Sequence, residues 1–429
     1  MCRTICCAVV LSALSWQVPS GAAESAKAKD INPPDWTQLQ WQIIQSLTLD
    51  RLPPLPDSPS NRVANNPGAV AFGRALFFDD TLVGDGMVSC ASCHQPDRYF
   101  TDGKARAGGA NELKGRNTPT IVGSAHQAWF YWDGRRDSLW SQALIPFEAP
   151  DEMGGDRVGV LLRIAANPAL AKQYQAIFRE PLFVPQSGKA LEQGAGPLAA
   201  EPARSNWYQL PARSKKRINR SYANIGKAIA AYMRTVQPTS NRFDQYVGAL
   251  QAGDTGRARD LISASEKSGL SLFIDDGKTQ CMRCHSGPRF TNDNFQNIGT
   301  GNFDGAHLDF GRILGMQSVI TDEFNCLGAY SDARPEQCTG LRFMSRDPHQ
   351  PLTGAFKTPS LRNVAATAPY FHDGSKQSLR DVIEHYRNPP TTGKAGQHEL
   401  QALQLSNDDV TALVDFLTML SEPKSTSPR

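Results

Sequence analysis

The chain lacks a charge excess of either sign. Lys plus Arg number 45 against 42 Asp plus Glu, a net charge of +3. That is too slight for a phosphate backbone, so no nucleic-acid partner is expected. A long apolar run is also missing. The stretch from Ile5 to Trp16 is too short to span a bilayer. The mean hydropathy of −0.41 excludes a polytopic membrane protein, and no stable membrane insertion is expected. Strand–helix alternation is absent, which sets aside an α/β architecture. Glycine (35) and proline (29) are frequent enough for many ordered loops, but not for a disordered chain.

Residues 1–23 have the layout of a secretory leader. Arg3 gives the positive start, Ile5–Trp16 the apolar stretch, and Gly21-Ala22-Ala23 a small-residue cleavage site. An exported, periplasmic protein is expected. The leader holds Cys2, Cys6 and Cys7, none of them in a lipoprotein box. The six cysteines that remain are Cys90, Cys93, Cys281, Cys284, Cys326 and Cys338.

Four of these form two C-x-x-C-H motifs, Cys90-x-x-Cys93-His94 and Cys281-x-x-Cys284-His285. The pattern is that of covalent c-type haem attachment: two thiols add to the porphyrin vinyl groups, and the next residue places an imidazole under the iron. A redox dithiol or half of a zinc site does not need the trailing His twice. Two covalent haems are therefore expected. Cys326 and Cys338 close a polar loop, for which a local disulfide is the default in an oxidising compartment.

The element pattern is mainly α with long loops. Helices are expected near 38–49, 70–78, 138–147, 157–178, 224–235, 256–274, 377–387 and 406–421. A loose internal repeat places a threonine-proline segment and then an aromatic-Asp-Gly after each C-x-x-C-H. These are Thr118-Pro119 with Trp132-Asp133-Gly134, and Thr358-Pro359 with Phe371-His372-Asp373-Gly374. The expected organisation is a leader (1–23), a Pro-rich arm (24–60), a first cytochrome c-like haem domain (61–240), a second (241–422) and a tail (423–429). Residues 180–222, with five prolines and the basic run 213–217, read as an inserted loop or linker. The basic run is either a solvated surface or a docking patch for an acidic partner.

What separates an electron carrier from an enzyme is the sixth position on each iron. Spacing alone does not choose among His126, His307, His349, His372, His385, His398 and several Met and Tyr residues.

Three segments resemble the bacterial dihaem cytochrome c peroxidase and MauG family. They are A-L-F-F-D-D-T-L-V-G-D-G-M-V-S-C-A-S-C-H, then G-R-N-T-P-T followed by W-D-G-R-R-D-S-L-W-S-Q-A-L-I-P, and F-K-T-P-S-L-R-N-V-A-A-T-A-P-Y-F-H-D-G. The likeness covers roughly residues 65–165 and 224–421. It implies that His94 is the proximal ligand of a peroxide-reacting haem, with Gln142, Pro146 and Glu152 in its distal pocket. Glu152 would move a proton between peroxide oxygens and Gln142 would hold the oxidant. Trp132 would lie between the haems as an electron relay. His285 would ligate the second, electron-transfer haem. Where the family's peroxidases place Met on that haem, this chain has Tyr386, as MauG does, with His385 as an adjacent competitor. The loop 103–114 contains no histidine, unlike many family peroxidases. Asn117, Thr367 and Pro369 match an interdomain Ca²⁺ site.

The resemblance thus implies a haem peroxidase that reduces hydrogen peroxide with electrons from a small cytochrome c or cupredoxin. The alternative is a MauG-like enzyme that oxidises an aromatic side chain, a tryptophan, of a partner protein. A non-enzymatic dihaem carrier is a third reading, against which Gln142 and Glu152 argue.

Overall fold

The computed structural model describes residues 33, 35–84, 86, 88–107, 115–301, 308–344, 352–390, 398 and 400–422. The leader and the tail lie outside the described residues. So do His307, His349 and residues 108–114 of the loop 103–114. Among the described residues the fold is mainly α: the β structure amounts to one two-stranded ribbon and a few isolated bridges. No described helix is long and apolar enough to cross a membrane.

Helix α1 (Gln38–Ser46) opens on a capping box between Thr37 and Gln40. Helix α2 (Pro67–Phe78) starts at Asn66, whose side chain accepts from the Ala69 amide, with proline in the first turn. A short α3 (Cys90–Cys93) carries the first cysteine pair. The stretch 138–147 folds as α4 (Leu139–Gln142) and α5 (Ile145–Glu148). The stretch 157–178 divides into α6 (Arg157–Ala166) and α7 (Pro168–Phe178). The division falls where Asn167 caps α7 and Pro168 has no N–H to continue α6.

The linker reading of 180–222 needs correction. The segment contains α8 (Lys189–Gln193) and α9 (Ala203–Gln209), and it ends inside α10 (Ala212–Met233), a 22-residue helix. The basic run forms the first turns of α10, and Ile218 is already buried. Pro211 is the reason the pattern misled: proline just before a helix starts it as readily as it breaks one.

The second half contributes α11 (Arg242–Gln251), α12 (Thr255–Leu261) and α13 (Ala264–Ile274). The last two were expected as one helix. Ile262 is extended and Ser263 caps α13 in a box with Glu266. Beyond them lie α14 (Arg312–Thr321), α15 (Thr339–Arg342), α16 (Leu379–Arg387) and α17 (Asn407–Met419). Strands β1 (Phe295–Gln296) and β2 (Phe356–Lys357) pair antiparallel.

Two apolar cores result. The first gathers Phe72, Phe77, Trp140, Phe147, Tyr174, Tyr222 and Ile225. The second gathers Phe243, Phe273, Phe290, Leu413 and Phe416. Burying each such side chain is worth roughly 1.5–3 kcal/mol. The Pro-rich arm is not free of the body. Trp36, Trp41, Ile44 and Leu47 are buried in the second core, and the Trp36 indole donates to the Tyr246 hydroxyl at 2.9 Å. In the other direction, Phe324 and Tyr330 of the second half enter the first core. Disulfide-bonded Cys326 and Cys338 bracket Tyr330.

Each core has a close helix crossing at a glycine. A Cβ on Gly73 of α2 would lie 1.8 Å from the Ala228 carbonyl oxygen of α10. A Cβ on Gly269 of α13 would lie 1.9 Å from the Ala412 carbonyl oxygen of α17. Neither neighbour is a side chain that can turn away. Gly73→Ala should therefore destabilise the holoprotein by about 1–3 kcal/mol or more, read as a fall in Tm. An unchanged Tm would show that the crossing relaxes freely.

Candidate haem centres

Both C-x-x-C-H motifs open onto one cavity of about 1010 Å³, lined by Cys90, Cys93, His94, Cys281, Cys284 and His285. At the first motif the His94 amide returns to the Cys90 carbonyl at 2.9 Å. At the second the His285 amide returns to the Cys281 carbonyl at 2.8 Å. Each imidazole is oriented the same way. Nδ1 of His94 meets the Phe100 carbonyl, and Nδ1 of His285 meets the Phe290 carbonyl, both at 3.0 Å. Phe100 and Phe290 adopt positive φ (58° and 53°), which turns these carbonyls inward. Tying Nδ1 in this way fixes the tautomer and leaves Nε2 for a metal.

The four thiols are not disulfide-bonded. Burial pushes Cys90 up to about 12, and Cys93 and Cys281 up to about 11. A redox dithiol needs the opposite shift. Two neutral thiols beside one oriented imidazole, facing an apolar-walled cavity, fit a covalently attached haem at each motif.

The distal-pocket residues inferred from the resemblance come together. Trp132, Gln142, Pro146 and Glu152 all line the cavity with Cys90 and Cys93. Gln142 ends α4, Pro146 lies in the first turn of α5, and Glu152 follows in the turn after it, its amide bonded to the Ala149 carbonyl. Burial raises the Glu152 pKa, and Arg135, 4.0 Å away, opposes that rise.

Arg135 and Tyr131 were not expected in the pocket. The Arg135 guanidinium lies 3.5 Å above the Tyr131 ring and also binds Asp133. Their signal was the residues that flank W-D-G, Tyr131 before it and the R-R-D run after it, legible but unassigned. Burial works against the Asp133 charge, but Arg135 and Arg116 prevail and hold its pKa below the usual range. Arg116 spans Asp133 (2.7 Å) and Asp309 (2.8 Å), so it joins the two halves.

The Trp132 indole donates to the Asn117 carbonyl at 2.8 Å. Asn117, Thr367 and Pro369 also line the cavity, and Asn117 donates from its amide to the Lys104 carbonyl. Among the histidines, His126 meets Gln237 and His398 meets the Pro390 carbonyl. His372 stacks on Phe356 at 3.5 Å, with Asp309 at 3.6 Å. His385 directs Nε2 to the Ile298 carbonyl at 2.7 Å. Tyr386, next to it, lines the cavity, and burial raises its phenol pKa, with Cys281 and Cys284 acting in the same sense.

Fold and centres together define a haem oxidoreductase with two c-type haems. The chain belongs to the dihaem cytochrome c peroxidase and MauG family. Residues 67–252 match the family model described as di-haem cytochrome c peroxidase. The methylamine utilization protein MauG of Methylorubrum extorquens is 33% identical over 372 residues, spanning 86% of this chain and 83% of that protein. Cytochrome-c peroxidase IdrP1 of Denitromonas iodatirespirans is 30% identical over 378 residues, 87% of this chain and 86% of its own length. A MauG-like protein associated with microbial copper homeostasis superposes with a TM-score of 0.57 at 25% identity, over 86% of this chain and 95% of that one. The dihaem peroxidase BthA of Burkholderia thailandensis shares the fold, with a TM-score of 0.60 at 22% identity over 85% and 89%.

The loop 132–137 is tied to the second half by side-chain charge. Arg136 pairs with Asp322 at 2.6 Å, and Asp137 accepts from the Cys326 amide at 2.7 Å. Burial pushes the Asp137 carboxyl up to about 6. Its folded pKa exceeds the ordinary 3.8, so its favourable contribution is complete below pH 3.8 and is lost as pH rises through about 6. Asp137→Asn should therefore gain stability relative to the parent between pH 4 and pH 7, by up to about 3 kcal/mol. Thermal melts across that range would show a flat difference if the carboxyl is not held protonated.

Proposed function

We propose that this chain reduces hydrogen peroxide to water with electrons from an external donor protein. The reading rests on one observation: Gln142, Pro146 and Glu152 line the cavity that Cys90, Cys93 and His94 also line, with Glu152 close enough to act electrostatically on both thiols. A carrier with both irons filled has no use for a protonatable carboxyl and an amide in that place.

When bound, the haem at the first motif supplies the redox chemistry that cleaves the O–O bond. The chain's own groups do the rest. The Gln142 amide orients the oxidant. Glu152 takes a proton from the near peroxide oxygen and returns it to the far one, so that water leaves. Burial, which favours the protonated carboxyl, and Arg135, which favours the carboxylate, poise it for both roles. The balance is one peroxide, two electrons and two protons to two waters. Trp132 is fixed at both ends, its indole on the Asn117 carbonyl and its own carbonyl on the Lys357 amide at 2.8 Å, which suits a relay between the centres. His94 and His285 are the proposed proximal ligands and Tyr386 the proposed sixth ligand at the second centre. Asn117, Thr367 and Pro369 are proposed to hold a Ca²⁺, a hard cation suited to oxygen donors. The donor is proposed to be a small cytochrome c or a cupredoxin. Residues 1–23 are proposed to direct the chain to the periplasm.

The position of Tyr386 favours a second reading. A hard anionic donor there stabilises oxidised states, which suits an enzyme that stores oxidising equivalents for an aromatic side chain of a partner protein.

Mixing the ferric protein with peroxide and a reduced small c-type cytochrome separates the two. Rapid peroxide-dependent oxidation of the cytochrome is the expected result, with no prior reduction required. Slow turnover with a long-lived oxidised spectrum would instead establish the second reading. Glu152→Gln should lower kcat/KM for peroxide by roughly 10²–10⁴-fold, with haem content unchanged by absorbance. A loss under tenfold would remove Glu152 from proton transfer.

A further inference from the structure

Lys357 is a buried cation that the chain itself leaves half-served. The residue is 9% exposed and lines the cavity. Its ammonium donates to the Gln127 side-chain oxygen and to the Trp129 carbonyl, the latter at 3.0 Å. Both acceptors are uncharged, and an ammonium has three donors. Among the described residues no carboxylate pairs with it. By contrast, Arg116 is matched by Asp133 and Asp309, and Arg135 by Asp133 and Glu152.

Burial, reinforced by Arg289, pushes the ammonium down to about 7; Asp133 opposes this from a distance, but its carboxylate is bonded to Arg116 and Arg135 and forms no ion pair with Lys357 among the described residues. A cation taken out of water is costly unless an anion meets it. The anion is not supplied by the described residues, yet the group faces the space where both haems must sit. A c-type haem brings its own carboxylates, the propionates.

We propose that Lys357 is a cofactor-anchoring residue whose ammonium takes a propionate carboxylate of one of the two haems. The inference rests on the two haems of the family and not on the peroxide reading, so either can fail alone. It gives one residue two tasks. The Lys357 main chain fixes Trp132, because its amide donates to the Trp132 carbonyl, and β2 pairs it with Phe295. Its side chain would fix the cofactor. A positive charge at that place is also an electrostatic bias: it favours the reduced iron, whose net charge is less positive.

The test uses the holoprotein and reads the cofactor directly. Haem content is counted first, then the propionate-bending bands are recorded by resonance Raman and both midpoint potentials by spectroelectrochemistry. Lys357→Met should displace the bands and lower the midpoint potential of one haem. Lys357→Arg, which keeps the charge, should leave that potential near the parent value. Gln127→Leu removes one protein acceptor while the ammonium stays, and should displace the same bands in the opposite sense. Bands and potentials unchanged in a fully loaded Lys357→Met would overturn the proposal and leave Lys357 as a clasp between segments. If Lys357→Met loads no haem, unmoved bands in Gln127→Leu would overturn it equally.

Discussion

The loop from Trp132 to Asp137 is held from outside by groups of the second half, and the rest of the molecule is organised around that hold. The Lys357 amide takes the Trp132 carbonyl. Arg312 donates to the Gly134 carbonyl at 2.7 Å while its guanidinium lies over the Trp129 and Phe295 rings. Gly315 of α14 backs directly onto the Asp133 carbonyl, where a Cβ would come within 2.1 Å. Arg116 joins Asp133 to Asp309, and Asp322 takes Arg136. These are charged and main-chain contacts in a largely buried seam, where a lost partner leaves an uncompensated group. The relative placement of the two C-x-x-C-H motifs is therefore set by a polar seam, while each motif is supported by its own apolar core.

That division of labour accounts for the shared cavity. Each core ends in an imidazole oriented by a carbonyl, at Phe100 in one half and Phe290 in the other. The seam brings those two ends to one space. Gln142, Glu152, Arg135 and Tyr131 on the cavity wall are polar, and Glu152 is the group among them suited to moving a proton. On the second wall Tyr386 takes the exposed place because His385 is occupied by the Ile298 carbonyl. One step along α16 turns a side chain by about 100°, so only one of these neighbours faces the cavity.

Much of the site was legible because its chemistry is written locally. A haem attachment motif occupies five consecutive residues, and W-D-G with Gln142, Pro146 and Glu152 keeps a fixed register over two short helices. The helix start at Ser406 was equally local, a side chain capping its own first turn. The misreadings were of another kind. Pro211 was taken as a break although it opens α10, and 256–274 was taken as one helix although Ser263 starts a second. The arm was read as separate although Trp36 and Trp41 lie in the second core. Packing decides such cases, and packing partners lie far away in sequence.

The sequence by itself determined the two c-type haem motifs and the helical class, because each depends on residue types at short spacing. Tertiary structure alone decided that Arg116 spans Asp133 and Asp309, that Tyr386 and not its neighbour faces the cavity, and that Lys357 lies buried there with its ammonium on the Gln127 side chain and the Trp129 carbonyl. Arg116 and Asp309 lie 193 positions apart, and Lys357 and Gln127 lie 230 apart. No local pattern encodes them, since they arise only when two separately built cores are brought together across a charged seam.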